Sequence, residues 1–236
     1  DGSLEDRFDQ CLTQGKTGIP REELLVYLRD AADGLDYIFQ QHGLQHLDVK
    51  PANLLLLGGR VKVADFGLIK NLREDQVSIS AGLTPNYAPP EVFDNKPNRH
   101  SDQYSLAIVF QQMLTGNLPF EGQTATQLAV QHLHRRPDLS RLPRSDQPII
   151  SRALSKNPEK RFPNCCSLIE NLLHAPDYRT RRVRPQSTDN GRSSVSIKRE
   201  MAPIEQIEIE AACRTKTLVR ISRDVTPLPA LETATV

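Results

Sequence analysis

The sequence contains no stretch approaching the roughly 18 to 20 consecutive apolar residues that cross a bilayer, so no membrane segment is expected within it. It has no surplus of either charge: 30 Lys and Arg stand against 29 Asp and Glu in 236 residues. Such a balance argues against a nucleic-acid binder that works by bulk charge. Its four cysteines, Cys11, Cys165, Cys166 and Cys213, show no C-x-x-C spacing and make no small disulfide framework. They fit a reducing, cytoplasmic setting. No internal repeat is visible, which argues against a repeat architecture. The chain opens on Asp1, with neither an initiator methionine nor a charged-then-apolar leader.

What is present divides into two compositions. Residues 175–236 carry 11 Lys and Arg against 8 Asp and Glu, and residues 1–174 carry 19 against 21. The later part reads as a polar, basic linker that need not fold. Within it, Ile204, Ile207 and Ile209, then Leu218, Val219 and Ile221, are candidate strands of a further module.

In residues 1–174 apolar side chains recur at helical spacing between clear punctuators. A short helix is expected over 3–14 and a long amphipathic one over 20–41. Leu24, Leu28, Ala31 or Ala32, Leu35, Ile38 and Phe39 would form the buried stripe of the long helix. Pro20 opens it, Glu22 and Glu23 sit near its positive end, and Gly43 closes it. Residues 54–57 and 60–63, joined by Gly58-Gly59, read as a hairpin. A buried helix is expected over 103–115, closed by Gly116, and three more near 123–132, 146–154 and 164–174.

The chemistry-bearing residues cluster around the hairpin. His46-Leu-Asp-Val-Lys-Pro-Ala-Asn53 precedes it and Asp65-Phe-Gly67 follows it. Then come Thr84-Pro-Asn-Tyr-Ala-Pro-Pro-Glu91, Ser101-Asp-Gln-Tyr-Ser-Leu106 and Asn157-Pro-Glu-Lys-Arg161-Phe. A carboxylate, an ammonium two residues on, and two hard oxygen donors framing a hairpin suit phosphoryl transfer, which asks for positioning and charge neutralisation. The plainer reading is that Asp48, Asn53 and Asp65 are turn formers at loop and hairpin ends.

In this order the motifs resemble the eukaryotic-type Ser/Thr protein kinases, including their bacterial relatives, over residues 1–174. The resemblance implies an α+β protein-kinase-like fold: a mainly α-helical C-terminal lobe with a small β-hairpin, and no N-terminal lobe. It implies ATP and Mg2+ as cofactors and a protein Ser or Thr hydroxyl as acceptor. Asp48 would take the proton of that hydroxyl. Lys50 would face the transferring γ-phosphate, and its identity marks the Ser/Thr class. Asn53 and Asp65 would ligate Mg2+, and Leu55 would floor the adenine site. Thr84 would bridge Asp48 and Lys50 and open the platform on which a peptide lies. His46, Phe66, Glu91, Asp102 and Arg161 would be structural. His46 packs under the loop, Phe66 in the core, Glu91 pairs with Arg161, and Asp102 holds the catalytic-loop backbone. His132 and His134 are expected as solvated helix-end residues, and Cys165 and Cys166 as small core filler.

Several positions depart from the family pattern. Leu47 stands where the family usually has an Arg that clamps a phosphorylated activation loop, so phosphate on Ser78 or Ser80 would lack its main partner. Activity is therefore expected to be independent of phosphorylation there. Leu83, Pro89 and Ala107 are tolerable variations. No glycine-rich loop, strand lysine or partnering helix glutamate precedes Asp48, and the first seven residues resemble the segment just beyond the hinge. The expectation is a piece of a longer kinase, inactive by itself. Two rivals stand beside it. A pseudokinase-like binding scaffold is opposed by the intact Asp48, Asn53 and Asp65. A small-molecule phosphotransferase is opposed by Lys50 and the 84–91 segment.

Overall fold

Gly2 and Ser3 form a two-residue strand, β1 (Gly2–Ser3), and the chain turns at once into α1 (Leu4–Thr13). The turn is set by a capping box: the Asp6 N–H donates to the Ser3 hydroxyl and the Ser3 N–H donates to the Asp6 carboxylate. Two of the helix's orphan groups are satisfied this way. The computed structural model describes residues 2–65, 70–71 and 84–175. Phe66, Ser78, Ser80, Cys213 and residues 176–236 lie outside the described residues.

Pro20 has no N–H to give a preceding turn, and α2 (Arg21–His42) starts directly after it. Gly43 ends the helix in the left-handed region (φ 68°), and its N–H donates to the Phe39 carbonyl at 2.8 Å. Leu24, Leu25, Leu28, Ala31, Ala32 and Leu35 are buried along one side, whereas Ile38 and Phe39 are only half-buried. The short strand β2 (Leu44–Gln45) follows, and then the hairpin of β3 (Leu54–Leu57) and β4 (Arg60–Val63). Both turn residues, Gly58 and Gly59, have positive φ (58° and 76°), the twist that suits a two-residue hairpin. β1 lies antiparallel to β3, with Ser3 opposite Leu55, so three strands run in the order β1-β3-β4. β2 pairs with β5 (Lys70–Asn71) in a separate ladder.

The remainder is helical: α3 (Pro90–Phe93), α4 (Ser101–Thr115), α5 (Ala125–His134), α6 (Gln147–Ala153) and α7 (Cys165–Leu173). α4 is buried on nearly every side from Ser101 to Phe110, as a helix at the centre of a core must be. Gly18 crosses its end so closely that a Cβ would lie 2.5 Å from the Met113 and Leu114 carbonyl oxygens. α5 runs two residues later than the sequence suggested because Thr124, not an earlier residue, accepts from Gln127 N–H as its cap. Asn164 caps α7 in the same way through Ser167 N–H.

A further expectation fails. His132 is not solvated but fully buried, because α5 turns that side onto Tyr104, Phe120 and Phe93; His134 is exposed. Cys165 is in the core and Cys166 half-buried, with both thiols pushed up by burial and by Asp36 nearby, so neither is a ready nucleophile. Among the described residues no helix is long and apolar enough to cross a membrane.

Candidate active site

The loop from His46 to Asn53 has little regular structure of its own. It is pinned from below by Asp102, near the start of α4. The Asp102 carboxylate accepts the His46 N–H at 2.8 Å and the Leu47 N–H at 2.8 Å. Burial pushes the Asp102 carboxyl up, and these two N–H groups pull it down. Leu47 needs such a clamp: it is buried and sits in the left-handed region (φ 63°), a conformation costing an L residue roughly 1–2 kcal/mol. The His46 imidazole holds the loop from the side. Its Nε2 lies 2.9 Å from the Ala64 carbonyl, and its Nδ1 accepts the Asp48 N–H at 3.3 Å, which assigns the ring proton to Nε2. One ring thus ties Asp48 to the residue preceding Asp65.

Asp48, Lys50 and Thr84 form a closed triangle. The Thr84 hydroxyl donates to Asp48 Oδ1 at 2.8 Å and accepts from Lys50 Nζ at 3.2 Å, while Lys50 Nζ lies 2.7 Å from Asp48 Oδ2. Asn53, in a 3-10 turn (Pro51–Asn53), donates its Nδ2 to the Asp48 carbonyl at 2.9 Å and to Asp48 Oδ2 at 3.1 Å. With its amide nitrogen so engaged, the Asn53 carboxamide oxygen takes no hydrogen bond among the described residues. Asp65 follows the hairpin, exposed and in the left-handed region (φ 60°). The Ala64 N–H donates to the Asn53 carbonyl at 2.9 Å, so the two oxygen-bearing residues lie on adjoining backbone. A free amide oxygen and an exposed carboxylate are hard donors of the kind Mg2+ takes. Leu55 extends from the face of β3 opposite Leu54 and Leu56, which pack toward the core, and is half-buried. Phe66 lies outside the described residues.

The segment from Thr84 to Glu91 is fastened to the helical base at several points. Ser105 Oγ donates to the Tyr87 carbonyl at 2.8 Å, and the Tyr87 hydroxyl donates to Gln112 Oε1 at 2.6 Å. Burial pushes the Tyr87 phenol up to about 12, so it remains a donor. Glu91 and Arg161 are joined by two parallel bonds of 2.7 and 2.8 Å, both side chains being at most 8% exposed. Arg161 also donates to the Ser155 carbonyl at 2.9 Å and the His100 carbonyl at 3.0 Å.

Three supporting groups carried no usable sequence signal. Asp36, a buried acid in the apolar stripe of α2, accepts the Cys165 and Cys166 N–H groups at 3.0 and 2.8 Å and so caps α7. Gln103 brackets the Arg161 segment, donating to the Phe162 and Asn164 carbonyls and accepting the Phe162 N–H. Arg21 reaches Asp146 with two bonds of 2.8 and 2.9 Å. A polar residue inside an apolar helix was the only hint of the first two.

Residues 2–186 match the family described as Protein kinase domain, and the chain belongs to that family. Its relatives include serine/threonine-protein kinase PknB of Mycobacterium leprae, 28% identical over 189 residues, covering 74% of this chain and 30% of that one. Serine/threonine-protein kinase PknF of Mycobacterium tuberculosis is 29% identical over 184 residues, covering 72% and 37%. The 3-phosphoinositide-dependent protein kinase 1 of Arabidopsis thaliana is 34% identical over 127 residues, covering 48% and 25%. The matched region thus spans about a third of the length of these curated relatives.

Proposed function

We propose that the chain is part of an ATP-dependent protein serine/threonine kinase that transfers the γ-phosphate of MgATP to a Ser or Thr hydroxyl of a protein. One observation carries this reading: Asp48 Oδ1 already accepts a hydroxyl hydrogen bond, from Thr84, at 2.8 Å. That is the contact a base must make with an incoming Ser or Thr before it takes the proton. Lys50 places an ammonium within 2.7 Å of the same carboxylate, where negative charge builds as the phosphoryl group moves. Asn53 and Asp65 are the residues that would hold Mg2+, which when bound neutralises and orients the ATP phosphates. Leu55 offers an apolar surface to the adenine, and residues 84–91 offer the backbone on which a substrate peptide lies. His46, Asp102, Glu91 and Arg161 act by keeping these groups in place.

Phosphoryl transfer also calls for groups covering the phosphates from above. No glycine-rich loop or strand lysine precedes Asp48, so the isolated 236-residue chain is expected to turn over little or no ATP. A need for ATP, with Cys11, Cys165 and Cys166 as free thiols, suits a cytoplasmic kinase. The test is Asp48→Asn in the full-length protein, assayed with ATP, Mg2+ and a Ser-containing protein. Loss of a positioned base should cost about 10²–10⁴-fold in rate; phosphorylation at the wild-type rate would end the proposal. Magnesium-dependent ATP binding by the wild type, with no transfer to any protein, would favour a binding scaffold instead.

A further inference from the structure

The His132 ring on α5 has no exposed surface. It packs against Phe120, Tyr104 and Phe93, with ring centroids 4.6, 5.7 and 6.0 Å away. Its Nδ1 lies 2.9 Å from the Tyr104 hydroxyl, and its Nε2 is buried without a hydrogen-bond partner. Burial and the Lys156 ammonium hold the imidazole neutral, its pKa lowered to about 3. Nδ1 is the acceptor the buried Tyr104 phenol has, so Nδ1 is bare and the ring proton is on Nε2. The core therefore contains an N–H donor that no acceptor among the described residues meets at normal hydrogen-bond geometry, an arrangement folded proteins avoid.

The carbonyls of Pro85 and Asn86, the two residues after Thr84, act on that ring as acceptors but too long or too bent to satisfy it. Among the described residues the Pro85 carbonyl otherwise accepts one long bond, 3.4 Å from the Ala88 N–H. The same cluster reaches the far end of the segment, because the Arg161 guanidinium that grips Glu91 lies 4.8 Å from the centre of the Tyr104 ring. A small movement of residues 85–86 toward α5 would tighten the bond to that ring while leaving Thr84 on Asp48 and the Glu91 end fixed.

We propose that His132 is a positioning residue for the substrate platform: its Nε2–H closes on the Pro85 or Asn86 carbonyl when a protein substrate occupies residues 84–91, and this holds Thr84 in its contact with Asp48. The inference rests on the kinase reading above and assigns a task to a side chain that touches neither nucleotide nor acceptor.

Three variants of the full-length protein separate this latch from simple packing. His132→Phe fills the space without nitrogen. His132→Asn retains an acceptor for Tyr104 alone. His132→Gln extends an amide N–H toward the position of Nε2. With melting curves to establish that each is folded, Phe and Asn should raise the KM for a Ser peptide about ten-fold, the worth of one strong buried hydrogen bond. The KM for ATP should not move, and Gln should restore the peptide KM to within about two-fold of wild type. An unchanged peptide KM in all three, or equal rises in Gln and Phe, overturns the proposal. In the wild-type 236-residue chain, 15N spectra should report a bare Nδ1 and a protonated Nε2 whose hydrogen shifts downfield when the peptide is added. If the wild type phosphorylates nothing, the kinase reading fails by itself. The spectra then decide the latch: an Nε2 hydrogen unmoved by peptide overturns it.

Discussion

Glu91→Gln is the sharpest single test of how the platform is held. The variant keeps the shape of the side chain and removes its charge, leaving Arg161 fully buried and cationic. At present Arg161 has two parallel bonds to Glu91 at 2.7 and 2.8 Å, and two backbone carbonyls at 2.9 and 3.0 Å. Removing one partner of a buried pair costs about 3–5 kcal/mol. The surviving carbonyls, and the one oxygen Gln still offers, place the loss at the lower end, about 3 kcal/mol. Against a total stability of about 5–15 kcal/mol this is a large fraction. In a domain of this size it lowers the melting temperature by about 6–12 °C. Urea unfolding of the 236-residue chain measures the loss directly. The companion variants are Arg161→Met, which leaves Glu91, among the described residues, with the Ser101 hydroxyl alone, and the double variant, in which neither charge remains. The double variant should be less destabilised than the sum of the two singles by about 2 kcal/mol or more. A loss below about 1 kcal/mol for Glu91→Gln, or strict additivity in the cycle, refutes the claim that this pair is the clasp.

Other outcomes follow from the same geometry. In Asp102→Asn one of the two N–H groups keeps the oxygen and the other faces an NH2, so stability should fall by about 1–3 kcal/mol by urea unfolding. The same variant should slow turnover in the full-length protein with little change in the KM for ATP; wild-type turnover would show that Leu47 keeps its geometry unaided. His132 should steepen acid unfolding. Its folded pKa is about 3 against an ordinary 6.5, so the unfolded chain takes up a proton the fold refuses. Stability therefore falls as pH drops from 6.5 toward 3, by up to about 1.4 kcal/mol per unit. Urea midpoints from pH 7 to 4 should fall less steeply in His132→Phe, and parallel slopes would contradict the assignment. Because Leu47 offers no cation to a phosphate, Ser78→Ala with Ser80→Ala should retain phosphotransfer in the full-length protein, measured by mass spectrometry of a substrate peptide; abolished turnover would reverse that view.

What could be read from the residues and what could not divides along sequence distance. The hairpin of β3 and β4 was legible because Gly58-Gly59 forces a turn whatever the rest of the chain does. The end of α2 was legible because Gly43 is a local stop. The start of α5 lies two residues past the expected one because Thr124 is one of several polar residues that could cap it. Asp36 was invisible for a different reason: its partners are the N–H groups of Cys165 and Cys166, 129 and 130 residues away. Nothing near residue 36 indicates that a helix N-terminus will arrive there. The burial of His132 has the same cause, since helix-end position says nothing about which side meets Tyr104 and Phe120. The residues of the loop itself were legible only through their motif. Their chemistry depends on Thr84, Ala64 and Asp102, which only the fold brings near.

α4 explains why so irregular a loop can be a precise one. A buried helix is ordinarily apolar throughout, and this one is not. Asp102 holds the His46–Leu47 backbone, Gln103 brackets Phe162, Tyr104 meets His132, Ser105 takes the Tyr87 carbonyl, and Gln112 takes the Tyr87 hydroxyl. Each of these polar groups would destabilise the core by about 1–3 kcal/mol if its partner moved away. The cost makes the alternatives steep: the loop, the 84–91 segment and the Arg161 segment cannot drift independently, because each drift leaves a polar group stranded on the same rigid helix. A change at one of them is therefore felt at the others through α4 as well as through their direct contacts, Thr84 on Asp48 and Glu91 on Arg161. It follows that variants at Gln103, Tyr104 or Ser105, none of which touches Asp48, should disturb the Asp48–Lys50–Thr84 triangle more than variants of equal burial on α7.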